Sequence, residues 1–277
     1  MYFIKPYITL IRPVNFVITG LSILVACLLA GGTQQQLLII VFASISGALI
    51  AAGGMVINDI LDVDIDRINK PERPIPSGAV EKYDAMMFYG ALTGAGMIMA
   101  AYTTRPAFII AFIAVPMIVM YSKAFKGTPL LGNMLVGALT GLTFIYGGAV
   151  VGNIRQAVMP ALFAFLINTG REIIKDMEDV EGDARNGAAT LPVRYGKKNA
   201  AIAATMFLLF VIISTIVPYV NGLYGLNYFL AVNAGVNFVI VYVLYSLWKD
   251  QSVKNLNLLS NILKWDMLVG LIAIYLG

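Results

Sequence analysis

Residues 37–66 read LLIIVFASISGALIAAGGMVINDILDVDID. An uncharged run from Leu37 to Ile57, long enough to cross a bilayer as a helix, passes straight into Asn58, Asp59, Asp62, Asp64 and Asp66. The arrangement recurs where the apolar residues 156–174 run into Asp176-Met177-Glu178-Asp179-Val180-Glu181-Gly182-Asp183. Nine of the fifteen acids lie in these two clusters, so acidity is concentrated at two helix ends rather than spread over a surface. Carboxylates so close to lipid repel one another and resist desolvation unless a cation shares them. That points to metal ions and, through them, to a phosphate-bearing substrate.

The rest of the chain is equally apolar. Of its 277 residues only 12% are charged, and the mean hydropathy is +0.82, too little charge to cover a soluble domain. The reading is an integral membrane protein of all-α class, a multi-pass transmembrane helical bundle forming one membrane-embedded domain over residues 1–277. The first apolar run, behind Lys5 and Arg12, lacks a clear small-residue cleavage site and reads as a retained helix. Cys27 is the single cysteine, so an internal disulfide is excluded. With no histidine present, His-based acid–base chemistry and His-ligated metal are excluded too.

Apolar stretches mark candidate spans at 13–31, 37–57, 85–102, 106–121, 130–151, 156–174, 199–219, 224–248 and 259–276, about nine helices. Positive charge checks the count, because Lys and Arg accumulate in short cytoplasmic loops. With nine spans, 17 of the 19 basic residues fall on one side, leaving only Arg105 and Arg155 opposite. The N-terminus and both acidic clusters are then cytoplasmic and the C-terminus outside. The long polar connections, 58–84 and 171–198, lie on that cytoplasmic face, so the chemistry is expected there. Trp248, Trp265, Tyr102, Tyr121 and Tyr224 stand near span ends, where aromatic residues anchor at the interface.

If the second span stays helical past Ile57, then Asn58, Asp59, Asp62 and Asp66 share one stripe and Asp64 points elsewhere. Asp176, Asp179 and Asp183 likewise stand at i, i+3 and i+7, with Glu172 extending the stripe and Glu178 and Glu181 off it. Two such stripes facing each other would make an oxygen-rich site, and hard oxygen ligands favour magnesium. The competing reading is a set of solvated loop acids balancing nearby cations. Those cations are Arg67 after the first cluster, Arg171 and Lys175 one turn apart before the second, and Lys123 and Lys126 after the fourth span. A positive-inside bias accounts for many of them. Three prolines in Lys70-Pro71-Glu72-Arg73-Pro74-Ile75-Pro76-Ser77-Gly78 forbid a helix interior there, leaving either a connector or a water-excluding cap with Arg73 aimed inward.

The first cluster has the form N-D-x-x-D-x-x-x-D followed by Lys70-Pro71-x-Arg73-Pro74, and the second D-x-x-D-x-x-x-D. With the hydropathy pattern, these motifs make the chain resemble the UbiA superfamily of intramembrane prenyltransferases over essentially its whole length. Tyr121 to Lys126 resembles that superfamily's Y-x-x-x-L-K element, with Phe125 in place of Leu. The resemblance implies a bundle around a central cavity with cytoplasmic cap loops, transferring a prenyl group from a prenyl diphosphate. It implies magnesium held by Asn58, Asp59, Asp62 and Asp66 and by Asp176, Asp179 and Asp183. Arg67, Lys126, Arg171 and Lys175 would neutralise the departing diphosphate, with Tyr121 carried over beside them.

Within the superfamily, residues 57–78 and 170–183 followed by Thr190-Leu191-Pro192 resemble most the archaeal ether-lipid branch of phospholipid biosynthesis. This implies geranylgeranyl diphosphate as donor and the free hydroxyl of geranylgeranylglyceryl phosphate as acceptor. Lys70, Arg73 and Lys123 are the surplus cations available for the acceptor's own phosphate. An aromatic or chlorin acceptor is the nearest rival, since chlorophyll synthases share a similar Arg-Pro-Ile-Pro-Ser-Gly stretch. A transporter is the rival of another class, although carriers place their charges nearer the midplane. Membrane lipids are the expected surroundings; neither nucleic acid nor an obligate protein partner is called for.

Overall fold

The computed structural model describes residues 4–277, the side chain of Asn69 excepted. Its elements are α1 (Ile4–Ile11), α2 (Pro13–Leu29), α3 (Leu37–Leu61), α4 (Val63–Asn69), α5 (Lys82–Ala101), α6 (Arg105–Met120), α7 (Leu131–Val151), α8 (Ile154–Glu178), α9 (Val180–Arg185), α10 (Leu191–Val220), α11 (Leu226–Ala231), α12 (Phe238–Lys249) and α13 (Val253–Tyr275). There is no strand among the described residues. Helix is the required answer, because apolar chain in lipid must satisfy its own backbone groups. Short π-helical turns at Tyr121–Phe125 and Val232–Asn237 extend α6 and join α11 to α12.

Each of the nine apolar stretches coincides with a helix, but the supported span count is smaller. Seven segments are long and apolar enough to cross a bilayer, and α1 with α2, bent by 46°, makes eight. The exception is α5, which has twenty residues but opens on Lys82 and Asp84 and contains Gly90, Thr93, Gly94 and Gly96. Trp265 also falls mid-helix, since α13 starts six residues before the predicted boundary, behind a Ser252 cap that accepts from the Asn255 N–H.

Two compact units divide the chain, Met1–Lys123 with Leu142–Ala157 and Ala124–Gly141 with Val158–Gly277. In the first, α3 and α5 pack through small residues. Ser46 donates to the Gly96 carbonyl at 2.8 Å, and a Cβ on Gly96 would meet Ile50 Cγ1 at 2.7 Å and that Ser46 carbonyl at 3.0 Å. Such close backbones are how membrane helices gain packing without a hydrophobic drive between them. Gly96→Leu should therefore cost about 1–3 kcal/mol by overpacking. A lower melting temperature in detergent checks this.

A second apolar cluster, Leu10, Val56, Ile60, Ile75 and Val80, lies beneath the proline loop. That loop is an ordered turn, with Ser77 N–H on Arg73 O, Val80 N–H on Pro74 O, and Gly78 supplying a φ of 77°. In the second unit, Leu208, Ile240, Leu256, Leu259 and Leu263 form the fully buried core. Here α8 is tied to α13, Arg171 Nε donating to Ser260 O at 3.1 Å and Asn257 to Glu178 at 2.7 Å. Gly196, at φ 83°, breaks α10 into two helices near the predicted start of the seventh span. Phe112, Phe238, Val241 and Ile272 stand exposed on the helices, the surface a lipid solvent permits.

Candidate active site

The first motif is an α-helix that breaks without unravelling. α3 ends at Leu61, Asp62 departs from helical geometry at φ −87°, ψ 2°, and α4 begins at Val63. Backbone bonds cross the break, Asp62 N–H to Asn58 O at 2.9 Å and Asp66 N–H to Asp62 O at 2.8 Å. Side-chain register survives, so Asp59, Asp62 and Asp66 are buried on one face at 4, 7 and 5% exposure. Asn58 is half-buried, while Asp64 is exposed and pairs with Arg67 at 3.0 Å.

Arginine holds two of these acids. Arg73 Nη1 reaches out of the proline loop to Asp66 Oδ2 at 2.5 Å and Asp59 Oδ1 at 3.3 Å. Arg12 Nη2 reaches the same Asp59 oxygen at 2.6 Å. The residue-by-residue reading missed Arg12 because it lies 47 positions from its partner. A charge fixed between Ile11 and Pro13, where α1 and α2 meet, was the available signal.

The second motif repeats the break. α8 ends at Glu178, Asp179 stands at φ −89°, ψ 5°, and α9 follows at Val180. Asp183 N–H still bonds Asp179 O at 3.0 Å. This motif is more open, Asp179 being exposed and Asp176 and Asp183 half-buried. Neutral donors support it: buried Asn133 gives its amide to Asp176 Oδ2 at 2.7 Å, and Thr190 its hydroxyl to Asp183 Oδ2 at 3.1 Å. Both supports also escaped the sequence reading. Burial pushes the Asp183 carboxyl above its ordinary range, and the charge of Asp179 adds to this. The Thr190 bond and the nearby Lys126 and Lys175 charges pull it back.

Lys126 and Lys175 are thus the expected cations that the structure gathers at the second motif. Lys126 follows the π-turn at Tyr121–Phe125, its next residue fixed by Ala189 N–H on Gly127 O at 2.8 Å. Arg171 instead engages Glu172 and Ser260 O. Arg67 lies on the exposed pair with Asp64, and Lys70 and Lys123 are exposed. Among the described residues, no three acidic side chains cluster closely enough to hold an ion as they stand, the first motif's acids being gathered by guanidinium instead.

Each acid stripe thus crosses a helix break at its second aspartate. The sequence profile of the UbiA prenyltransferase family covers residues 19–266. The chain belongs to the UbiA prenyltransferase family. It is a multi-pass membrane enzyme, and the transporter reading falls. Relatives include the digeranylgeranylglyceryl phosphate synthases of Thermococcus gammatolerans, 36% identical over 98% of this chain and 97% of the relative. That of Methanopyrus kandleri is 38% identical over 97% of each. Among solved structures, a digeranylgeranylglyceryl phosphate synthase in membranes superposes with TM-score 0.86 at 32% identity, covering 100% of this chain and 99% of that one. A UbiA homologue from Archaeoglobus fulgidus bound to GPP and Mg2+ shares the fold, with TM-score 0.71 at 18% identity over 98% and 99%.

Proposed function

We propose that this chain transfers a geranylgeranyl group from geranylgeranyl diphosphate to the free hydroxyl of geranylgeranylglyceryl phosphate, giving digeranylgeranylglyceryl phosphate for archaeal ether lipids. The observation that carries the acceptor is end-to-end likeness to synthases of that name, at 36 and 38% identity. The acid stripes support the donor, since they suit a diphosphate brought in with a divalent ion.

Magnesium fits the donor set. Asn58, Asp59, Asp62 and Asp66 offer only hard oxygens, three of them on buried carboxylates, and Asp176, Asp179 and Asp183 offer the same at the second motif. When bound there, it screens the diphosphate charge and makes it a leaving group. Lys126 and Lys175 add positive charge where the leaving oxygen gains negative charge. The carbon–oxygen bond breaks with its electron pair going to diphosphate, and a lone pair of the acceptor hydroxyl closes on the allylic cation. The hydroxyl proton leaves with the released diphosphate. Tyr121 supports the element that carries Lys126, and the exposed Lys70 and Lys123 are free to take the acceptor phosphate. Arg67 and Arg171 serve at one remove, through Asp64 and Glu172. The whole chain works as one prenyltransferase domain with its N-terminus and catalytic loops cytoplasmic.

The test is direct. Purified protein with geranylgeranyl diphosphate and magnesium should give a doubly prenylated glyceryl phosphate by mass spectrometry, and nothing when magnesium is chelated. A prenylated 4-hydroxybenzoate or chlorophyllide under the same conditions would keep the family and discard the acceptor.

A further inference from the structure

Two guanidiniums from different parts of the first unit pair with Asp59 and Asp66 of the first motif. Both use Asp59 Oδ1, Arg12 at 2.6 Å and Arg73 at 3.3 Å, and Arg73 also takes Asp66 at 2.5 Å. The acids are buried, whereas the arginine side chains keep 36% and 22% of their surface, so each has a way out toward water. Arg12 adopts a left-handed backbone, φ 48° and ψ 76°, at the 46° bend between α1 and α2. A residue other than glycine held there loses about 1–2 kcal/mol and persists only where its surroundings demand it. Its bond to Asp59 is the contact that this bend delivers.

A hard divalent ion would draw on the same two carboxylates. Magnesium takes oxygen ligands at roughly 2.0–2.1 Å, which would bring its double charge close to both guanidiniums, and these like charges oppose one another at Asp59 and Asp66. At the second motif Asp176 and Asp183 accept instead from the neutral Asn133 and Thr190.

We propose that Arg12 and Arg73 are the resting counterions of the first motif, and that a metal ion enters only by displacing them, turning both guanidiniums over to the phosphate oxygens that arrive with it. The proposal rests on the magnesium reading above. A metal arriving alone must push two cations off buried carboxylates with no anion to receive them. A metal arriving with diphosphate supplies that anion, and a guanidinium fork matches phosphate well. Metal and diphosphate therefore bind as a coupled pair, and Asp59 and Asp66 keep a cation beside them throughout.

Manganese alone, without diphosphate, is the probe. Titrated into purified protein carrying Asp179→Asn to silence the second motif, it is followed by loss of the free ion's paramagnetic resonance signal. Arg12→Gln and Arg73→Gln should each bind it on the order of tenfold tighter than the background, because a competitor has gone. Arg12→Lys and Arg73→Lys, which keep the charge, should fall between, and circular dichroism verifies the fold of each. Equal or weaker manganese binding in both Gln variants overturns the proposal. Binding that Asp62→Asn leaves untouched overturns instead the assignment of metal to this motif, on which the proposal depends.

Discussion

Asp62→Asn is expected to lower turnover by on the order of 10³-fold while leaving the helical fold intact by circular dichroism in detergent. Asp62 stands at the break between α3 and α4 and is 7% exposed. Asparagine has nearly the same shape, so packing and the backbone bonds across the break survive. What disappears is one negative charge facing the proposed metal. Removing a buried carboxylate also relieves desolvation in the ion-free protein, which limits any loss of stability. Asp179→Asn should lose turnover to a similar degree although Asp179 is exposed, because it holds the corresponding place at the second break. Rates near wild type in either variant, measured at saturating magnesium with product followed by mass spectrometry, would remove the metal assignment for that motif. Matching losses in both would show that a buried and an open carboxylate do the same work, which a solvated-loop reading cannot accommodate.

The features legible in the sequence were those whose cause is local. Apolar runs of bilayer length placed a helix in every one of the nine stretches, and spacing in Asn58 to Asp66 put three acids on one buried face with Asp64 outside it. The proline loop announced itself through φ restriction alone. Long-range pairing left no such trace. Arg12 meets Asp59 across 47 residues and Asn133 meets Asp176 across 43, and no periodicity connects either pair. Arg67 and Arg171 show how little sequence proximity says about the partner chosen. Proximity in sequence put both beside the acids, but α4 turns Arg67 toward Asp64, and α8 turns Arg171 toward α13. α5 falls below the apolarity of the other spans for a compositional reason: it is as long as a span but packs closely against α3 through glycine.

Lys126→Ala should lower kcat on the order of 10²-fold, the scale for losing one group aimed at developing charge, with little change in the KM for acceptor. The residue follows a π-helical turn, a geometry that recurs at functional sites, and the Ala189–Gly127 backbone bond fixes the chain just beyond it. Its charge bears on Asp183, so it sits at the second acid stripe, where the leaving diphosphate is proposed to be held. If Lys126 stabilises charge only as the carbon–oxygen bond breaks, its loss slows every acceptor equally and slows acceptor-free hydrolysis of the donor as well. Lys126→Arg, which keeps the charge on a different head, should restore part of the rate. Single-turnover measurement separates ionisation from product release. An unchanged single-turnover rate with a raised acceptor KM would move Lys126 to the acceptor phosphate and leave Lys175 to stabilise the leaving group.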